Sequence, residues 1–85
     1  MARRINSARN PRFTAVAIDL DGDHRHDLVV VVKGGRRDDA IRAVAKDLPA
    51  DALIDLQETR VFRAKYVALA HAVDLADDVR ELDLE

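Results

Sequence analysis

Carboxylates and imidazoles crowd one short stretch of this chain. Asp19, Asp21, Asp23, His24, His26 and Asp27 fall within nine residues. In an extended segment alternate residues project to the same side, and imidazole with carboxylate suits zinc or a similar divalent ion. Asp19, Asp21 and Asp23 also stand at positions 1, 3 and 5 of a calcium-loop spacing. Position 6 of such a loop must be glycine and is His24; position 12 must be a bidentate glutamate and is Val30. The plainer reading is an acidic, solvated turn, because Asp and Gly bend the chain readily. We take that reading and assign no metal ligand here. A loop charge that changes with pH is favoured over catalysis.

The same residues carry one family resemblance. An apolar strand followed by Asp19-Leu20-Asp21-Gly22 resembles the first motif of the haloacid-dehalogenase phosphatases. The resemblance implies that Asp19 attacks phosphorus and that Asp21 acts as acid and base beside magnesium. It covers these few residues alone. The threonine expected after the glycine is Asp23, and 85 residues are too few for the doubly wound domain that supplies the other catalytic parts.

A second candidate is Lys33-Gly34-Gly35-Arg36-Arg37, placed between a strand and a helix start. Exposed amides and two arginines there suit a phosphate. The Gly-Lys-Ser/Thr ending of a phosphate-binding loop is absent, and Asp38 and Asp39 oppose an anion at that helix end. The plainer reading is a strand-to-helix turn. No cysteine is available as a nucleophile, Ser7 has no motif around it, and no triad or carboxylate pair can be assembled. Catalytic residues, cofactors and metals are all assigned as none, and the chain is expected not to be an enzyme.

Charge is distributed unevenly along the sequence. Residues 1–12 hold Arg3, Arg4, Arg9 and Arg12 and no acid, whereas residues 74–85 hold six acids against Arg80, within a net charge of −2. The four arginines are the candidate nucleic-acid contacts, as basic arms meet phosphates or a minor groove. Few aromatic residues, Phe13, Phe62 and Tyr66, argue against stacking on single strands. Arginine outnumbers lysine, eleven to three; GC-rich coding accounts for that as simply as phosphate recognition does. With 48% hydrophobic residues the chain has enough apolar content for one small domain. No apolar run approaches the roughly 18–20 residues of a membrane span, and no apolar stretch follows the early arginines as in a secretory signal. A cytoplasmic protein is expected.

The elements that must position these residues follow from periodicity. Residues 1–12 read as a flexible arm rich in breakers, 13–82 as a single globular domain and 83–85 as an acidic tail. Thr14 to Leu20 alternates as a strand. Leu28 to Val32, with four consecutive valines, reads as a strand buried on both faces and therefore interior; the two form an antiparallel hairpin. Asp38 to Leu48 reads as a helix with Ala40, Ile41, Val44, Ala45 and Leu48 on one stripe, Asp38 capping it and Pro49 ending it. Residues 50–59 read as a strand, with a helical turn after Pro49 as the alternative. Val61 to Leu82 reads as one long helix, because Phe62, Tyr66, Leu69, Val73 and Ala76 step by four and three. Lys65 and Arg80 are misfits near its apolar side, and a strand over Arg60 to Tyr66 competes.

The expected fold is thus α+β, β-β-α-β-α: two layers, with a three-stranded, mainly antiparallel sheet and two helices on one face, the C-terminal helix long. The expected function is a small protein-binding or accessory module that self-associates, a dimer being favoured, through Phe62, Tyr66, Leu69, Val73 and Ala76. The alternative is a nucleic-acid-binding accessory protein using the arginine arm.

Overall fold

The computed structural model describes residues 12–22, 25–48 and 55–84. The expectations for residues 1–11, for Asp23 and His24, and for residues 49–54 lie outside that range. The elements run β1 (Phe13–Asp19), β2 (Leu28–Lys33), α1 (Arg37–Asp47), β3 (Asp55–Phe62), α2 (Lys65–Leu75) and β4 (Val79–Asp83). They form one four-stranded sheet in the order β3-β1-β2-β4. β1 lies antiparallel to both β2 and β3, and β4 lies parallel to β2. The expected hairpin is present, and β2 is interior.

Both central strands are apolar on two sides. Every residue of β1 is buried, and so is every residue of β2 except half-buried Lys33. Val16, Ile18, Leu28, Val30 and Val32 meet Ala40, Val44 and Leu48 of α1 and its C-cap. Phe13, Ala15, Ala17, Val29 and Val31 meet Ala68, Ala72 and Ala76 of α2 and its C-cap. The helices therefore cover opposite faces, not one face as expected. Connection direction supplies the reason. The β2-α1-β3 crossover passes β1 one way, and β3-α2-β4 returns past β1 and β2. Two crossovers of the same hand in opposite directions must use opposite faces.

The C-terminal third departs most from expectation. In place of one helix over 61–82, the chain completes β3, makes an eleven-residue helix and adds a fourth strand. The sheet is mixed rather than three-stranded and mainly antiparallel, and the last helix is short. Lys65 and Arg80, misfits on a long helix, are at home here. Lys65 opens α2 and reaches Glu81 of β4 at 2.9 Å, and Arg80 points from β4 to Asp47 at the end of α1, 3.1 Å away. Asp83 closes β4 rather than belonging to a tail.

The two faces differ in weight. A fully buried Val, Ile or Leu contributes about 1.5–3 kcal/mol, so the α1 face, rich in these, supplies most of the burial energy. On the α2 face the fully buried helix residues are alanines, Ala68 and Ala72, set against Ala15, Ala17, Val29, Val31 and Phe13 of the strands. In α1, Leu48 is extended (φ −89°, ψ 153°), as a residue before proline should be. The start is capped by Asp39 rather than Asp38: the Arg36 amide donates to Asp39 Oδ2 at 2.9 Å. That hydrogen bond first, and the nearby guanidinium of Arg42 at 3.0 Å next, hold the Asp39 carboxyl below its ordinary pKa. Gly35 makes the preceding turn at φ +70°, where a Cβ would sit 3.0 Å from Leu84 Cδ1 and 3.1 Å from Asp39 Cβ.

Two measurements test this packing. Ala72 is fully buried and Ala70 is exposed on the same helix. Ala72→Leu should lower urea stability by about 1–3 kcal/mol through overpacking, while Ala70→Leu should stay within about 0.5 kcal/mol. Equal effects would mean that the helix is rotated. For Asp39, a depressed folded pKa means stability that is present above the unfolded value and lost as pH falls through the folded one. Asp39→Asn should therefore lower the urea midpoint at pH 7, and the gap to the parent should close as pH drops below the usual carboxylate range.

Candidate functional site

Asp19 ends β1 and is fully buried, Asp21 is exposed, and Asp27 is half-buried at the entry to β2. Each offers one carboxylate oxygen, and the three oxygens lie within 4.8 Å of one another. Hard oxygen donors of this kind are the ligand type for magnesium or calcium. The same carboxylates already hold the loop. Asp19 Oδ1 accepts from the amides of Asp21 and Gly22 at 3.2 and 2.8 Å, and Asp27 Oδ2 accepts from the Leu20 amide at 2.9 Å. A side chain that accepts from amides two and three residues on is a turn former. An attacking carboxylate needs an open path to phosphorus, and Asp19 has none. β1 also leads into a hairpin between two antiparallel neighbours rather than into a doubly wound sheet.

The glycine loop resolves in a similar way. The Gly34 amide donates to the Arg12 carbonyl at 2.8 Å, and the Arg36 amide is taken by Asp39. Two of the loop's backbone donors are thus engaged within the chain. His26 does not stand with the carboxylates. With Arg25 it lines a shallow cleft opposite Asp74, Asp77, Val73, Leu75 and Ala76. Bases near the acidic end of α2 thus come from the β1–β2 loop.

The five candidate interface residues separate. Phe62 and Leu69 are half-buried against the core and Ala76 is 7% exposed, whereas Tyr66 is 76% exposed and Val73 65% exposed. Between them lies Ala70, exposed, and beside them Val67. Residues 66, 70 and 73 form one outward stripe by helical spacing. A helix that is apolar on every side belongs in a buried place, yet α2 has one side on the sheet and the other in solvent. On its flank, His71 Nε2 lies 3.1 Å from Glu58 Oε1, and the imidazole ring centre is 5.0 Å from that of Phe62. That pair ties α2 to the edge strand β3.

Three basic residues acquire a new setting. Arg12, Arg63 and Arg37 come from separate parts of the sequence, but each stands at the end of the sheet where β2, β3 and β4 finish. Phe13 faces both Lys33 and Phe62 across the sheet, and Lys33 faces Asp83. Arg63 and Ala70 were not singled out by spacing or motif. The alternation of strand and helix is the signal that would have placed Arg63 beside Arg37. A scan of protein-family models, a search of curated proteins and a search of solved structures each return no match to this chain.

The turn reading of Asp19 is checked by denaturation. Asp19→Ala strands two loop amides and should cost about 1–3 kcal/mol. Asp19→Asn keeps a carbonyl acceptor and should cost less than half as much. An alanine variant as stable as the parent would remove the structural role.

Proposed function

We propose that this chain is a small non-enzymatic protein-binding module that pairs with a second copy of itself through the outer face of α2. The carrying observation is the exposed stripe of Tyr66, Ala70 and Val73, with Val67 beside it, on a helix already covered on its other side. Contiguous exposed apolar surface on a small domain marks an interaction site. Tyrosine is among the residues favoured at protein interfaces, and Ala70 at the middle of the stripe permits close approach of a second helix.

Charge supports a second copy as the occupant and sets its direction. Arg63 and Lys65 lie at the start of α2, and Asp74, Asp77 and Asp78 lie at its finish. Two copies of this helix side by side in parallel would oppose like charges and like dipole ends. Antiparallel, about a two-fold axis near Ala70, they bring basic starts to acidic finishes and align opposite dipoles.

Light scattering with size exclusion at about 10–300 µM should show a dimer, and Val73→Asp should yield a monomer whose melting temperature is unchanged at low concentration. The chain has no cysteine, so single introduced thiols report geometry without background. Under mild oxidation the Ala70→Cys variant should cross-link, and Tyr66→Cys should not, since residue 66 meets the far end of the partner helix. A clean monomer at 300 µM, or equal cross-linking at 66 and 70, would sink the reading.

A further inference from the structure

We propose that the end of the sheet where β2, β3 and β4 finish is a docking surface for the phosphate backbone of duplex DNA, gripped by Arg12, Arg37 and Arg63. The surface shares Arg63 with the charge pairing proposed for α2, whereas Arg12 and Arg37 take no part in that pairing, so Arg37→Ala tests this surface without touching the helix pair.

Parallel direction collects these residues. β2, β3 and β4 point the same way, so α1 and α2 both begin at this end. Arg12 precedes β1, which starts here because it runs antiparallel. Arg36 and Arg37 open α1, Arg63 follows β3, Lys65 opens α2 and Lys33 closes β2. The acids at this end are largely committed within the chain. Asp39 holds the Arg36 amide and Arg42, and Glu81 holds Lys65. Asp83 sits across from Lys33 in the sheet and has a partner. Arg12, Arg37 and Arg63 are exposed and form no ion pair among the described residues. Asp38, Glu81 and Asp83 are the exposed acids at this end among the described residues, and of these Asp38 is the one on the first turn of α1 beside Arg37.

The placement works against folding. Helix starts favour acids, and arginine is a poor N-cap. Arg36 stands at the N-cap of α1 and Arg37 follows it, ahead of the capping acids Asp38 and Asp39, while the first turn of α2 holds Lys65 and no acid. Local rules broken without a structural gain point to a ligand. The ligand must be anionic, and guanidinium is the group best shaped for phosphate oxygens. Arg3, Arg4 and Arg9 precede Arg12 in the sequence. Phe13 is 7% exposed and Phe62 half-buried, so Tyr66 is the one exposed ring nearby among the described residues. A row of stacking platforms is lacking, which favours the outside of a duplex over splayed single-stranded bases.

The experiment is fluorescence anisotropy of the full chain with a labelled 20-base-pair DNA duplex at several salt concentrations. Three phosphate contacts set a log–log salt slope of about −2.7, a loss of roughly 40-fold from 50 to 200 mM salt. Any contacts from Arg3, Arg4 and Arg9 steepen it. Arg63→Ala and Arg37→Ala should each flatten the slope by about 0.9. Asp38→Asn should tighten binding about threefold, a gain that misfolding cannot mimic. The matching single strand should bind more weakly. No duplex binding at 50 mM salt, a slope unmoved in the Arg12, Arg37 and Arg63 triple alanine variant, or binding to anionic lipid vesicles in preference to duplex would each overturn the proposal.

Discussion

The structure depends on a two-sided constraint at its centre. Phe13–Asp19 and Leu28–Lys33 pair as a ribbon whose faces are both apolar. Water can be tolerated on neither side, so a single layer of helix would leave Ala15, Ala17, Val29 and Val31, or else Val16, Val30 and Val32, exposed. Two helical layers are required, and two edge strands are required to shield the ribbon's backbone. The six elements are enough for both tasks. Each helix leaves the sheet at one end and returns a strand at the other, and that direction carries consequences well beyond the core.

Local physics made the ribbon and α1 legible in sequence. Consecutive valines, an alternating run and a three-and-four stripe ending before Pro49 each pointed to the element that forms. The last third misled for a physical reason. Large apolar residues at Phe62, Tyr66, Leu69 and Val73 outweigh alanines on any hydrophobic wheel, but the inward stripe of α2 is Ala68, Ala72 and Ala76. Alanine faces inward because Ala15 and Ala17 of β1 leave a shallow bed, and the helix can lie close. β4 was missed because an edge strand needs only one half-buried residue per face. Val79 and Leu82 meet opposite helical layers, and Arg80, Glu81 and Asp83 remain exposed. The misfits Lys65 and Arg80 were the surviving trace of that error. Of the candidate surfaces, Tyr66 and Val73 were visible as apolar residues. Their outward direction was not visible, because it depends on which stripe the sheet accepts.

The same topology changes what charge means in this chain. Read along the sequence, polarity runs from a basic start to an acidic finish. In the fold it runs along the strands. Asp19, Asp21, Asp27, Asp47, Asp74, Asp77 and Asp78 gather where helices end, although they come from four separate stretches. Arg12, Lys33, Arg36, Arg37, Arg63 and Lys65 gather where helices begin. Along α2, with Lys65 in its first turn and Asp74 in its last, the dipole adds to the side-chain charges, the reverse of the arrangement that stabilises a helix, whereas α1 keeps Asp38 and Asp39 at its start and Lys46 at its end. Arg25 and His26 on the acidic side, and Asp39 and Glu81 on the basic side, offset part of this.

α2 is where core and surface are most closely bound together. Rotating the helix by half a turn would bury Tyr66 and Val73 and expose Ala68 and Ala72, a sensible exchange for an isolated domain by area alone. The sheet forbids it. Ala15 and Ala17 face α2 from β1, and larger side chains there would push the helix away from Val29 and Val31 and from the edge strands that Lys65, His71 and their partners fasten. Small residues in the core thus fix which stripe of α2 faces inward and leave Tyr66 and Val73 on the opposite side. The apolar face of α2 is not an excess that the fold failed to absorb. A surface helix ordinarily carries polar residues on that side, so the apolar types at 66, 70 and 73 are a choice of sequence that the core does not impose.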